Sequence, residues 1–309
     1  MSAPGTFVFD AAGLTALARA KRDAYVQATP FPHAVFDNFL PEDVAARLVE
    51  EFPGRDSPVW VYNDRPLELE KVQLSEEVDL PPFTRQVAWA FNSAVFVRFL
   101  TELTGIHGLI ADSSLWGGGL HQTRTGGLVK VHSDFHRHPV LELDRRLNVI
   151  LFLNPEWRAE WGGALELWPP DMSRSERSIM PALNRCVIFA TDDRSPHGHP
   201  DPLACPADVT RNSMAFYYYS NGRPASEIIA RMNTTLFRRR PGTDEADNLF
   251  TLRLIHYLRK CVPPIAVDIK RRFFGRRGAT EKIHQLASVL FTRGGRSFIR
   301  NRSKRHSPP

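Results

Sequence analysis

The triplet His132-Ser133-Asp134 is the first place where neighbouring side chains could do chemistry together. In an extended strand, residues two apart project from one face, so an imidazole and a carboxylate stand about 6 to 7 Å apart at their Cα atoms. One metal ion can sit between them. Two histidines and one carboxylate on one face of an octahedron are the usual ligands of a non-haem Fe(II) oxygenase, because they leave positions open for co-substrate and O2. A third ligand is then needed. His197, 63 residues beyond Asp134, is the candidate, with His199 as its rival two residues later. Fourteen residues after His197, Arg211-Asn212-Ser213 repeats the two-apart spacing. An Arg and a Ser on one strand face can clamp a carboxylate, the guanidinium bidentately and the hydroxyl with one further bond, which suits the far end of 2-oxoglutarate.

By itself a His-x-Asp triplet arises often by chance; followed by strands, a late His and Arg-x-Ser, it forms a set. The other polar residues have blander readings. His136 and His138 alternate in phase with the triplet, but Pro139 and Glu142 point to a solvated loop. Of His121 and Gln122, strand alternation sends one toward the pocket. Asp192-Asp193, followed by Arg-Ser-Pro, reads as a turn. Trp157, Trp161 and Trp168 read as packing residues. The glycine-rich stretches have no following Lys-Ser/Thr, which excludes a P-loop, and no Ser-His-Asp or Cys-His nucleophile set is recognisable.

Strands must carry these groups. After Gly117-Gly118-Gly119 the pattern consists of short apolar or alternating runs, GLHQT, LVKVHSD, LNVILFL, ALELW, RCVIFA and SMAFYYYS, divided by Gly, Pro, Asn or Asp. Six or more short strands in about 100 residues imply an antiparallel jelly roll or cupin-like barrel. Before them, an Ala-rich helix-prone stretch occupies residues 1–30, and His33–Leu40 reads as a strand. PEDVAARLVEEF has one apolar helical face opened by Pro41. Residues 53–83 read as loop. Val87, Phe91, Val95, Phe99 and Leu103 predict one long helix over 84–103, closed by Gly105. Beyond Pro224 the texture turns helical, with NLFTLRLIHYLRKCV and EKIHQLASVLF as candidates and RNRSKRHSPP as a disordered end.

The 309 residues are 42% hydrophobic and 24% charged, an ordinary globular composition. Three cysteines without a CxxC pair exclude a disulfide scaffold or a zinc ribbon and fit a reducing compartment. No apolar run approaches the roughly 18 residues of a membrane span, and the first residues lack a secretory pattern, so a cytoplasmic location is expected. The net charge of +6 is uneven. Residues 270–309 hold 12 Lys/Arg against Glu281, leaving 28 basic against 33 acidic residues in 1–269. Only the tail, about 270–305, invites an anionic surface or polyanion.

From Phe31 to Pro224 the sequence resembles the 2-oxoglutarate and Fe(II)-dependent dioxygenases, in their prolyl 4-hydroxylase-like branch. The resemblance is densest through His132-Ser133-Asp134, Arg145, Leu153-Asn154, Glu156-Trp157, Gly162-Gly163, His197 and Arg211. It implies a double-stranded β-helix (core about 115–224) packed on N-terminal helices, with residues 1–30 as a helical preface and 225–309 as a basic helical extension. It further implies His132, Asp134 and His197 as catalytic iron ligands, and Arg211 as the 2-oxoglutarate anchor, with Ser213 or Asn148 assisting. Fe(II), 2-oxoglutarate and O2 are the expected reactants, and ascorbate an added reductant. His121, Gln122 and Arg145 are expected at the substrate pocket. Two departures stand out: Phe152 occupies the place where relatives commonly have a Tyr hydroxyl near the 2-oxoglutarate carboxylate, and PDPLACPADV lengthens the His197–Arg211 spacing. The pattern His-Gly-x-Pro-x-Pro-Leu favours His197 over His199.

The expected reaction is hydroxylation of an unactivated C–H bond, 2-oxoglutarate giving succinate and CO2. A non-catalytic binding module on the same fold, targeted by the basic tail, is the alternative, and a zinc or manganese hydrolase a third. Peptidyl proline, a free amino acid, and a carbohydrate or lipid precursor are the open substrate classes.

Overall fold

The computed structural model describes residues 7–62, 67–224, 227, 235–243 and 245. The chain divides into residues 1–249 and 250–309. The basic tail and both C-terminal helix candidates, apart from Leu249 and its neighbours at the boundary, fall in the second unit, and all of them lie outside the described residues.

Helix α1 (Ala11–Val26) starts at Asp10, whose carboxylate accepts from the amides of Ala12 and Gly13. Strand β1 (His33–Phe36) is shorter than the sequence suggests, and α2 (Glu42–Glu50) follows Pro41. The stretch expected to be loop carries two strands, β2 (Val61–Tyr62) and β3 (Glu68–Leu74). In β3 only Glu68, Val72 and Leu74 are buried. The charged residues between them mask the alternation. The expected long helix is two, α3 (Pro82–Phe91) and α4 (Ala94–Thr104). The break falls where Ser93 caps α4 by accepting from the Phe96 amide and Asn92 donates to the Asp112 carbonyl. Gly105, at φ 74°, ends α4.

The strand region carries β4 (Ile110–Ala111), β5 (Gly119–Ser133), β6 (Asp144–Phe152), β7 (Leu165–Leu167), β8 (Arg177–Ile179), β9 (Cys186–Ala190), β10 (His197–His199) and β11 (Arg211–Ser220), of which the short β4 and β8 were not read from the sequence. GLHQT and LVKVHSD merge into the single strand β5. One further strand, β12 (Leu236–Phe237), pairs with β5 opposite Ser133 and His132. All pairings are antiparallel, in the order β1-β9-β6-β11-β5-β10-β7-β8. The sheet curls so that β6 and β9 face β7 and β8.

Strand alternation explains why this sheet has two cores. Leu147, Val149 and Leu151 of β6, with Met214, Phe216 and Tyr218 of β11, pack outward on the helices with Phe91, Phe96, Phe99 and Leu100. The intervening Phe152, with Val187 and Phe189 of β9, packs inward against Leu165, Leu167 and Ile179. The result is the jelly-roll half-barrel expected from the sequence, its outer face buttressed by helices and its inner face lined for a site.

Candidate metal centre and anion pocket

His132 lies at the end of β5 and His197 at the start of β10, and the two are Cα partners in the ladder. Asp134 follows two residues after His132. Donor atoms of His132, Asp134 and His197 all lie within 4.8 Å of one another, the one such His/Cys/Asp/Glu group among the described residues. His132 Nε2 is 3.6 Å from Asp134 Oδ1, and His197 Nε2 is 3.5 Å from Asp134 Oδ2. Bonds of about 2.1 Å can bridge such gaps.

The backbone fixes both rings. His132 Nδ1 donates to the Lys130 carbonyl at 2.8 Å and His197 Nδ1 to the Ser195 carbonyl at 3.0 Å. A carbonyl only accepts, so each Nδ1 carries a proton and Nε2 is the ring atom left for a metal. Burial holds His197 down to about 4, against the pull of Asp134, so the ring is neutral near pH 7. Phe189 and Phe237 rings sit 4.6 Å from His197 and 5.5 Å from His132. Two imidazoles with Nε2 turned to a common point and a carboxylate, pre-aimed from one side, fit a divalent transition metal.

Asp134 is held by residues to which the sequence reading gave other duties. Asn148 donates to Asp134 Oδ2 at 2.7 Å, and Arg145 lies 3.1 Å from the same oxygen. Arg145 also donates to Asn148 Oδ1, is fully buried, and lies 3.4 Å from the centre of the Tyr217 ring. Burial alone would raise the Asp134 pKa, but Arg145, His197 and His132 hold it well below the usual carboxylate range. Asn148 and Arg145 thus both hold the same oxygen of Asp134.

Arg211 and Ser213 lie on the inner face of β11, opposite Thr123 and His121 of β5. Arg211 is buried, its Nε donates to the Gly163 carbonyl at 2.7 Å, and its guanidinium lies 5.0 Å from the Phe152 ring centre. Burial pushes its pKa down to about 9, and no carboxylate offsets this. A buried cation without an acid is placed to receive an anion. Gly163, at φ 72°, is required here: a Cβ would meet Leu203 at 2.5 Å and the Arg211 stem at 3.1 Å. Of the pair at 121–122, His121 shares the face of Ser213, and its Nε2 donates to the Gly117 carbonyl; burial, then Lys71, holds it down to about 3. Gln122, opposite Val72, faces the helices.

His136 and His138 are buried, not solvated. His136 Nε2 sits 2.5 Å from Asp193, and His138 Nε2 3.6 Å from Asp112, while His138 Nδ1 accepts from the amides of Val140 and Leu141. Distant acids supply their partners, so local pattern gave no sign of them. Asp192 organises the expected turn through Arg194 and Ser195. Asn154 went unread as a latch. Its Oδ1 accepts from the Asn212 amide at 2.7 Å and its Nδ2 donates to the Pro181 carbonyl at 2.7 Å, setting the strand that carries Arg211.

Residues 118–219 match the family described as the 2OG-Fe(II) oxygenase superfamily. The chain is 26% identical over 196 residues to the mouse prolyl 3-hydroxylase OGFOD1, a match spanning 62% of this chain and 33% of that protein. It therefore covers about a third of this curated relative. In structure it resembles a prolyl hydroxylase from Trichoplax adhaerens, solved with a peptide fragment of the hypoxia inducible factor oxygen degradation domain. The TM-score is 0.50 at 16% identity, covering 68% of this chain and 91% of that one.

Proposed function

We propose that this chain, whose residues 118–219 match the 2OG-Fe(II) oxygenase superfamily, is an enzyme of prolyl hydroxylase-like type that hydroxylates an unactivated C–H bond. The convergence of His132, Asp134 and His197 carries this reading. They would hold Fe(II), which with bound 2-oxoglutarate and O2 supplies oxygen transfer to carbon, leaving succinate and CO2.

The chain's own residues do the positioning. Fixed Nδ1 bonds keep both imidazoles in the metal-binding tautomer without reorganisation. Asn148 and Arg145 hold Asp134 Oδ2, which leaves Oδ1 as the oxygen facing His132. Arg211, across the inner face, binds the distal carboxylate of 2-oxoglutarate, with Ser213 on the same strand face. Phe152, Val187 and Phe189 form an apolar wall that keeps water from the reacting centre.

A peptidyl proline is the substrate class we favour, because the mouse relative bears the name of a prolyl hydroxylase. The buried free thiols of Cys186 and Cys205 suit a reducing location such as the cytoplasm. The experiment is Fe(II)-dependent succinate formation from 2-oxoglutarate, followed by oxygen incorporation across a panel of proline peptides and small metabolites. Succinate that rises with Fe(II) and vanishes in His132→Ala supports the enzyme. No turnover under any substrate, with 2-oxoglutarate bound but unconsumed, would favour a binding module.

A further inference from the structure

Arg211 is not the only buried polar group on the inner face without an acid beside it. His199, two residues beyond His197 on β10, is buried, and its Nδ1 has no hydrogen-bond partner among the described residues. A lone buried ring nitrogen is costly unless a ligand meets it. The charges that bear on this ring are Arg211 first, then Lys71 and His132, with no carboxylate among them. Lys71 is already engaged, its Nζ 2.9 Å from Glu68.

Strand register brings the groups together. Lys71, Thr123 and Arg211 form one transverse row across β3, β5 and β11, and Glu68, Val129 and His199 form another across β3, β5 and β10, the Leu69–Leu128 pair and a register shift in β3 lying between the two. Gly198 lets β10 lie this close, since a Cβ there would stand 2.8 Å from the Val129 carbonyl. Opposite Ser213, on the β6 side, stands Phe152, which offers no hydroxyl.

We propose that His199 is a specificity-determining residue that donates from Nδ1 to the same carboxylate Arg211 binds, supplying the hydrogen bond that Phe152 cannot. This rests on the 2-oxoglutarate reading above. It gives the second histidine of His-Gly-His a duty separate from metal binding: recognition of a dicarboxylate by its far end.

Calorimetric titration of the full chain loaded with Mn(II) tests it without turnover, using 2-oxoglutarate and oxalate as ligands. Oxalate chelates the metal but has no distal carboxylate. His199→Leu is expected to weaken 2-oxoglutarate binding by about ten- to a hundredfold, the range for a lost hydrogen bond to a charged group, while oxalate and Mn(II) affinities stay within about twofold. His199→Gln, which keeps a donor, should retain most of the 2-oxoglutarate affinity. Unchanged 2-oxoglutarate binding in His199→Leu overturns the proposal, as does an equal loss for oxalate, or an equal loss in the Gln and Leu variants. Failure of the parent protein to bind 2-oxoglutarate at all would instead remove the oxygenase reading.

Discussion

Replacing Arg145 by Met should unsettle this protein more than any exposed charge substitution, because it strands the carboxylate of Asp134 without its guanidinium. The two side chains are 0% and 10% exposed and approach to 3.1 Å. At an effective dielectric constant of about 20, that separation corresponds to about 5 kcal/mol of attraction, before desolvation offsets part of it. Removing one partner of a buried pair typically costs roughly 3–5 kcal/mol. Met keeps much of the stem over Tyr217, so the loss isolates charge from packing. A double-mutant cycle on the metal-free protein, with Arg145→Met, Asp134→Asn and both, read by urea unfolding at pH 7, gives the coupling directly. We expect each single variant to lose about 3 kcal/mol and the pair to recover at least about 2 kcal/mol of the summed loss. A coupling below about 0.5 kcal/mol would refute the claim that Arg145 acts on the metal ligand rather than as filler.

Asp134→Ala and His197→Ala should abolish Fe(II)-dependent succinate formation while near-ultraviolet circular dichroism stays native; turnover above about 1% of parent in either would unseat the ligand set. Arg211→Met should raise the 2-oxoglutarate KM by about a hundredfold through loss of a charged partner, and an unchanged KM would move the carboxylate elsewhere. Asn184→Ala removes a side chain that accepts from the Leu40 amide and donates to the Leu40 carbonyl; a loss of about 2–3 kcal/mol by urea midpoint is expected, and a neutral result would show water filling in. His197 is held down to about 4 in the fold, against about 6.5 when unfolded, so below pH 6.5 protons bind the unfolded chain first. The metal-free protein should therefore lose about 3 kcal/mol between pH 6.5 and 4, and level off below for this group. A flat profile in that window, with His197→Gln as control, would show the ring less buried than described.

The sequence exposed the site most clearly where chemistry and strand period coincide. His132 and Asp134, like Arg211 and Ser213, are two apart on strands, so their facing followed from alternation alone. Residues 197 and 199 share a face for the same reason, and period two could not separate them; the β5 ladder does, by pairing His197 with His132. Groups whose role depends on a partner far along the chain were misread. His138 meets Asp112 and His136 meets Asp193, each partner brought in by folding rather than by local pattern. Strand β3 was missed because its solvent-facing residues made it look like loop, and the α3–α4 break because the stripe Val87, Phe91, Val95, Phe99 and Leu103 runs past Ser93 without interruption.

Strand β12 also bears on how this protein can be dissected. It lies beyond the last recognisable motif, yet Phe237 pairs with His132, and the Arg238 amide donates to the Val131 carbonyl. A fragment trimmed after residue 224 would leave the backbone of β5 open to other chains at its ligand-bearing end. Such a fragment would tend to self-associate, and any weakness in its iron loading would reflect the cut rather than the enzyme.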